Sequence, residues 1–574
     1  MVTGATNSRN VVDRFTSVGG AVTGGLSGRI VIWRASQRLA LQRPWFEFED
    51  LSLPWLRPVI GYGPDLFKYT YLLERRADPR TGRLVSERYA HNYFIHKGVE
   101  LGALGLITSL GLFLVPMGAG AYLLVRHRRS YSIVHRLVLA GLLAALAGRF
   151  LEQTTGVASV SDLAITWVLF GAFAAIPAIM EEPPAVQDPG RLPAHTQRRL
   201  PAGSRPTMAI GQMWRPAVAV ALIAGIGTLT WIKTIDYPLA AVKAREGLDQ
   251  TRSGQLPKAL ESLAHAESRA PGVFVYPALR AAVYSVYADG AQGNREAECS
   301  VTGDYRTCLA RKTVLHNREA AQQRPLDWRP QLALAQSTLA LASLVGTTQL
   351  SSDATGLFRR VAQMDPQAWW RWEMLAAAYN QVGQPQKSLE SLTASFSILG
   401  DSDEAANSFL IQGIARRDLQ QPAEALAAFD RSISRFQRLK DTSKKRPPAY
   451  RSGLNNSLAD AYSNRGAILN DVGRYHEAIS GLDQAISLNP NLAIAYNNRA
   501  NSYANLEQIN HALDDYDEAI RLDPRLALAY YNRALAYTYL GDDEKARLDV
   551  GRVAELGLDA GALLESIEEA KNDR

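Results

Sequence analysis

Ala461-Tyr462-Ser463-Asn464-Arg465-Gly466 recurs as Ala495-Tyr496-Asn497-Asn498-Arg499-Ala500 and again as Ala529-Tyr530-Tyr531-Asn532-Arg533-Ala534, each copy 34 residues after the one before. Ala478, Ala512 and Ala546 keep the same spacing, as do Pro490 and Pro524. A period of this length fits one pair of helices per copy, stacked so that each pair buries its apolar face against the next. The alanines stand where two helices of a pair would cross, and a larger side chain there would hold the axes apart. The prolines follow the second helix, which they cannot continue.

This pattern resembles the tetratricopeptide repeat, with three consecutive copies in phase over residues 459–558. Weaker copies precede them. Ala259 to Pro271 repeats the spacing from Ala478 to Pro490, Met374-Leu375-Ala376-Ala377-Ala378-Tyr379 with Gly383 reads as a first helix, and Ala423 to Phe436 as a second. The expectation is a helical solenoid over residues 240–558, capped by a helix near Ala560 to Ala570. The resemblance implies protein partners for the repeats. The tyrosines and asparagines of the first helices have two readings, a concave groove for a peptide or a glycan, or simple packing. The Trp369-Trp370-Arg371-Trp372 cluster reads as repeat packing or as a binding ridge.

The remainder of the chain differs in kind. At 574 residues more than one domain is expected, and apolar residues crowd positions 100–235. Four stretches, 100–125, 134–154, 160–180 and 213–235, are long and apolar enough to cross a bilayer as helices. The second is interrupted by Arg136, Arg149 and Glu152. Arginines gather at 126–129 and at 191–205, and basic loops stay in the cytoplasm. That places residues 1–98, the loop at 154–161 and residues 236–574 outside. The fold class is all-α: an extracytoplasmic loop and helix segment (1–98), about four transmembrane helices (99–235), and a repeat solenoid (236–574). The implied location is the bacterial cytoplasmic membrane, with the repeats on its outer side. Residues 1–98 strain this topology with 14 Lys+Arg against 8 Asp+Glu, which further helices before residue 1 would resolve.

Within the first segment, Ser27 to Ala40 reads as an amphipathic helix with Ile30, Trp33, Gln37 and Ala40 on one face. The net charge of +7 is spread along the chain without a basic stripe, which argues against nucleic acid as a partner. Two cysteines, Cys299 and Cys308, are too few for a zinc site. They form a disulfide if this segment lies outside the cytoplasm and stay thiols if it lies inside.

The chemistry-bearing stretch is His91-Asn92, followed after nine residues by Gly102-Ala103-Leu104-Gly105 at the start of the first apolar run. If this segment is helical, His91 stands about two turns before the span. With Ser27-Gly28-Arg29, Trp33, Arg43-Pro44 and Gly61-Tyr62-Gly63-Pro64, it resembles the O-antigen ligase and O-antigen polymerase-like membrane family over residues 25–180. The resemblance implies transfer of a glycan from a polyprenyl diphosphate carrier to an acceptor hydroxyl on a lipid or protein, with no metal and no cofactor. It also implies further membrane helices upstream of residue 1. In that chemistry an imidazole takes the acceptor proton and a guanidinium meets the charge growing on the leaving diphosphate. The candidates are His91 as base or orienting group, Arg29 and then Arg34 as diphosphate clamps, and Asn92, Gly102 and Gly105 as the motif's structural residues. Arg149 and Glu152, three apart in the second span, are second-tier: intramembrane ionisable groups mark sites, or simply satisfy one another. His96 has no motif role. Two functions therefore stand, a membrane glycan ligase or polymerase with a recruiting repeat domain, and a non-catalytic membrane-anchored scaffold.

Overall fold

The structure is a computed structural model that describes residues 32, 34–39, 71–73, 93–126, 132–155, 236–289, 299, 304–444 and 446–572. Every regular element among them is a helix. The chain divides into two compact units, residues 1–345 with 363–367, and residues 346–362 with 368–574.

In the first unit, helix α1 (Tyr93–Arg126) is broken at Gly102, whose φ of 64° and ψ of −155° lie where only glycine is unstrained. A Cβ on Gly105 would stand 2.2 Å from Leu101 Cβ and 2.7 Å from Lys97 O. The two motif glycines therefore make a bend. In a straight helix Phe94 and Phe113 would be about 28 Å apart. Their ring centroids lie 5.8 Å apart, and Phe94 also sits 5.1 Å from Phe150 of helix α2 (Ile133–Thr155). The segment before Gly102 thus folds back beside the span. Glycine lets the backbone reverse here, where another residue would continue the helix.

Beyond the bend, Met117, Leu123 and Leu124 pack on Leu139 and Leu146 of α2, while Ile107, Val115, Val125 and Leu137 stay exposed. Residues 94–126 and 133–150 are long and apolar enough to cross a membrane. The other two expected spans, 160–180 and 213–235, lie outside the described residues. In the N-terminal segment Ile32, Ala35, Ser36 and Leu39 are buried and Gln37 is exposed. The buried face is therefore not the one expected through Gln37.

The first unit continues as helical pairs, α3 (Tyr237–Arg252) with α4 (Leu256–Arg269) and α5 (Val275–Asp289) with α6 (Tyr305–Gln323), followed by α7 (Trp328–Val345). Their core holds Ala240, Ala244, Ala259, Leu263, Tyr284 and Leu309. Cys299 and Cys308 are disulfide-bonded, and Cys299 is buried in that same core. Of the two alternatives left by the sequence, the bridge is the one formed.

The second unit opens with α8 (Thr348–Gln363). Five pairs follow: α9 (Trp369–Gln381) with α10 (Pro385–Leu399), α11 (Ala406–Asp418) with α12 (Pro422–Thr442), α13 (Pro448–Asp471) with α14 (Tyr475–Leu488), α15 (Ala493–Asn505) with α16 (Ile509–Leu522), and α17 (Ala527–Leu540) with α18 (Asp543–Glu555). Helix α19 (Ala560–Asn572) ends the stack against α17.

One register rule builds these pairs. A small residue on the first helix meets a large one 16 positions later on the second. A Cβ on Gly413 would lie 2.4 Å from the Phe429 ring, and one on Gly466 would lie 2.7 Å from Leu482 Cγ. Ala500 shares a core with Tyr516, Ala534 with Val550, and Ala376 with Leu392. Gly247 opposite Leu263 obeys the same rule in the first unit. Small against large lets each hairpin close to native density without a void.

The turn within each pair is also shared. Gln384, Gln421, Arg474, Gln508 and Asp542 donate their backbone N–H to the carbonyl five residues back, closing the first helix in a Schellman turn. The residue before each has positive φ, and at Gln420 and Glu507 the turn forms without glycine. The phase is lost between α12 and α13, of 21 and 24 residues, which are longer than the 13 or 14 of the later helices.

Candidate functional site

The in-phase arginines of the repeats are not free to meet a ligand. Arg499 of α15 grips Asp515 of its own pair through Nε and Nη2, both at 2.8 Å, and reaches Asp483 of the preceding pair through Nη1 at 2.5 Å. Arg533 of α17 does the same with Asp549 (2.9 and 2.7 Å) and Asp517 (2.6 Å). Arg465 lacks the carboxylate 16 positions on, because Gly481 stands there, and binds Asp430 of the preceding pair at 2.7 Å. Arg499 and Arg533 thus close their own hairpin with a bidentate fork and tie it to the preceding hairpin by a single charge-assisted bond, the only one of the two that Arg465 makes. Hydrogen bonding to Asp515 leads in holding the Arg499 guanidinium above its ordinary pKa, so the clamp stays charged.

The asparagines of the first helices work between repeats as well. Asn470 donates to Asn498 O at 2.8 Å and accepts from Ser502 Oγ at 2.6 Å, Asn498 lies 3.4 Å from Ser463 Oγ, and Asn532 donates to Asn497 at 3.2 Å. Packing therefore explains part of the asparagine pattern, and a groove the rest.

That groove, of about 590 Å³, is lined from α13, α15, α16, α17 and α19. Its walls carry Asn470, Asp471, Asn501, Asn505, Asn532 and Ser566, with Tyr516, Tyr539 and Glu569. The Tyr516 hydroxyl donates to Asn501 Oδ1 at 2.6 Å. Burial pushes its phenol above its ordinary pKa, so it remains a donor. Asn505 donates to Asn501 O at 2.8 Å. The Tyr539 side chain is among the exposed large groups of the unit. The chemistry offered is hydrogen bonding from fixed amides beside an open aromatic surface, which suits a chain laid across three repeats.

A second polar cluster is buried where α9, α10 and α11 meet. Glu373 accepts hydrogen bonds from Ser408 Oγ and from Asn407 Nδ2 (3.0 Å), and Ser408 lies 2.9 Å from Ser395. Burial outweighs these bonds and pushes the Glu373 carboxyl above its ordinary pKa. The folded state thus holds this proton more tightly than the unfolded chain does. Stability from this group is fullest below the unfolded pKa and declines as pH rises through the interval up to the folded value. Glu373→Gln is expected to raise the neutral-pH unfolding midpoint and to remove that decline, leaving stability near pH 4 unchanged. Urea denaturation at a series of pH values checks it, and a profile identical to wild type would contradict it.

Of the residues singled out for glycan transfer, the structure describes Arg34, Gly102, Gly105 and Arg149. His91, Asn92 and Arg29 lie outside the described residues. Arg34 is exposed on its helical turn. Gly102 and Gly105 shape the bend in α1. Arg149 and Glu152 share α2, where the side chain of Glu152 lies outside the described residues. His96 and Lys97 both face the buried Glu100, at 3.4 and 3.2 Å. No group of His, Cys, Asp and Glu able to hold a metal occurs among the described residues. The sequence offers a groove as one reading of the first-helix tyrosines and asparagines but gives no role to the arginines, although Asp483 and Asp517, and Asp515 and Asp549, repeat in phase with them.

Residues 459–492 and 493–526 match models of the tetratricopeptide repeat. No curated protein matches the chain. Solved structures similar to it include MamA 41-end from Desulfovibrio magneticus RS-1, at 20% identity over 33% of this chain and 94% of that one, with a TM-score of 0.25. Another is YrrB, a TPR protein with an unusual peptide-binding site, at 20% identity over 38% and 97% of the two chains, TM-score 0.24. A tetratricopeptide repeat protein from Parabacteroides merdae is 14% identical over 58% and 99%, TM-score 0.33. None of these comparisons supports the O-antigen ligase resemblance. The two repeat matches show that this chain, helical throughout the regular elements of its described residues, carries tetratricopeptide repeats.

Proposed function

We propose that the chain is a membrane-anchored scaffold whose repeats hold a protein partner through the groove in the C-terminal pairs. The observation that carries this reading is the groove itself, a polar concavity assembled from three successive pairs and α19. Its hydrogen-bonding groups are held by neighbours, so little order is lost on binding. The apolar helices α1 and α2 supply the anchor. The disulfide at Cys299 and Cys308 favours an oxidising compartment for the repeats, such as the outer side of a bacterial cytoplasmic membrane.

The test is photocrosslinking in native membranes from a benzophenone amino acid at position 539, in the groove, and at position 548, an exposed site outside its lining. Discrete protein adducts from 539 and none from 548 are expected. Equal labelling from both, or none from either, would overturn the docking reading. Glycan transfer by membranes containing the chain, abolished by His91→Ala, would show an enzyme in place of a passive scaffold.

A further inference from the structure

We infer that the groove takes an extended peptide segment carrying lysine or arginine. The inference rests on the scaffold reading above and narrows it to one kind of partner.

The charged side chains lining the groove are two carboxylates, Asp471 and Glu569, and no basic residue is part of that lining. Neither carboxylate has an ion-pair or hydrogen-bond partner among the described residues. Their neighbours contrast with this: Asp515 and Asp549 are gripped by Arg499 and Arg533, and Glu568 by Lys571 at 3.1 Å. The arginines of α15 and α17 are committed to those forks and cannot turn inward to neutralise the groove. Basic side chains carried along the groove by a ligand would meet these uncompensated charges, and the face of Tyr539, 52% exposed, is open to a cation as well.

The amides supply the other half of the recognition. Asn501 uses Oδ1 on Tyr516 and keeps its Nδ2 to donate. Asn505 and Asn532 use their Nδ2 groups on Asn501 O and Asn497 Oδ1 and keep their carbonyl oxygens to accept. An extended main chain presents both donors and acceptors and so matches this mixture. A peptide ending in acidic residues would find no cation here, and like charge would oppose it.

The test uses the full chain in detergent on an array of synthetic decapeptides with a Gly/Ser/Ala background, scanned with Lys, Arg, Asp or Glu at each position. A neutral tetrasaccharide serves as a separate probe. Lys and Arg peptides are expected to be retained about tenfold better than their Glu counterparts. Asp471→Asn with Glu569→Gln is expected to erase that preference, and Asp471→Lys with Glu569→Lys to invert it. Equal retention of acidic and basic peptides, abolished by Tyr539→Ala, would overturn the charge inference while leaving peptide docking intact. Binding of the tetrasaccharide with no peptide retained would overturn both. Both carboxylates are exposed, so unchanged thermal midpoints in the variants separate lost recognition from lost folding.

Discussion

Arg499→Ala is expected to destabilise the C-terminal repeats by about 3 kcal/mol, because it strands a buried carboxylate. Asp515 is only 7% exposed and takes both of its hydrogen bonds from this one guanidinium. The lost contact to Asp483 adds less, since that carboxylate is half in solvent. A repeat array unfolds as coupled neighbours, so the loss should appear as faster amide exchange across α14 to α17 while α3 to α6 keep their protection. Arg474→Ala removes an equally short pair with Glu477 on the solvent face and should leave exchange unchanged. Arg499→Ala with Asp515→Asn should recover part of the loss, since no unpaired charge then remains buried. Equal behaviour of the Arg499 and Arg474 variants would show that the clamp contributes no more than a surface pair.

Phe429→Ala should cost about 3–5 kcal/mol, the range for removing a buried aromatic side chain from a packed core. The ring is fully buried and lies against the bare backbone of Gly413. Gly413→Ala alone should also destabilise, by about 1–3 kcal/mol, because its methyl would press into the ring. The informative measurement is the double variant. With the ring gone, the Gly413 methyl enters the vacated space, so Gly413→Ala should cost much less in that background. Denaturant midpoints of the four proteins give the coupling. Additive losses would mean that the two positions do not pack as one unit.

These two variants mark where sequence reading succeeded and where it stopped. The hairpin architecture was legible because its period is local: alanines at 478, 512 and 546 and prolines at 490 and 524 repeat along the chain itself. The glycine pair at 102 and 105 was legible as a motif but not as a bend. Sequence spacing carries no record of backbone direction, and the reversal shows in the Gly102 backbone and in the approach of Phe94 to Phe113 and Phe150. Residues 32–39 mislead for a related reason, since which face of a short helix is buried depends on what lies beside it.

The chain alone therefore determined an all-α protein with apolar segments long enough to span a membrane and with repeating helical hairpins, because periodicity and apolar length are properties of sequence order. Tertiary structure decided which polar groups remain available. It committed Arg499 and Arg533 to structural clamps, bridged Cys299 to Cys308, and left Asp471, Glu569 and Tyr539 around one groove. Availability is a matter of which groups arrive in space, and residues from Asn470 to Ala570 come to line one groove only when the hairpins stack.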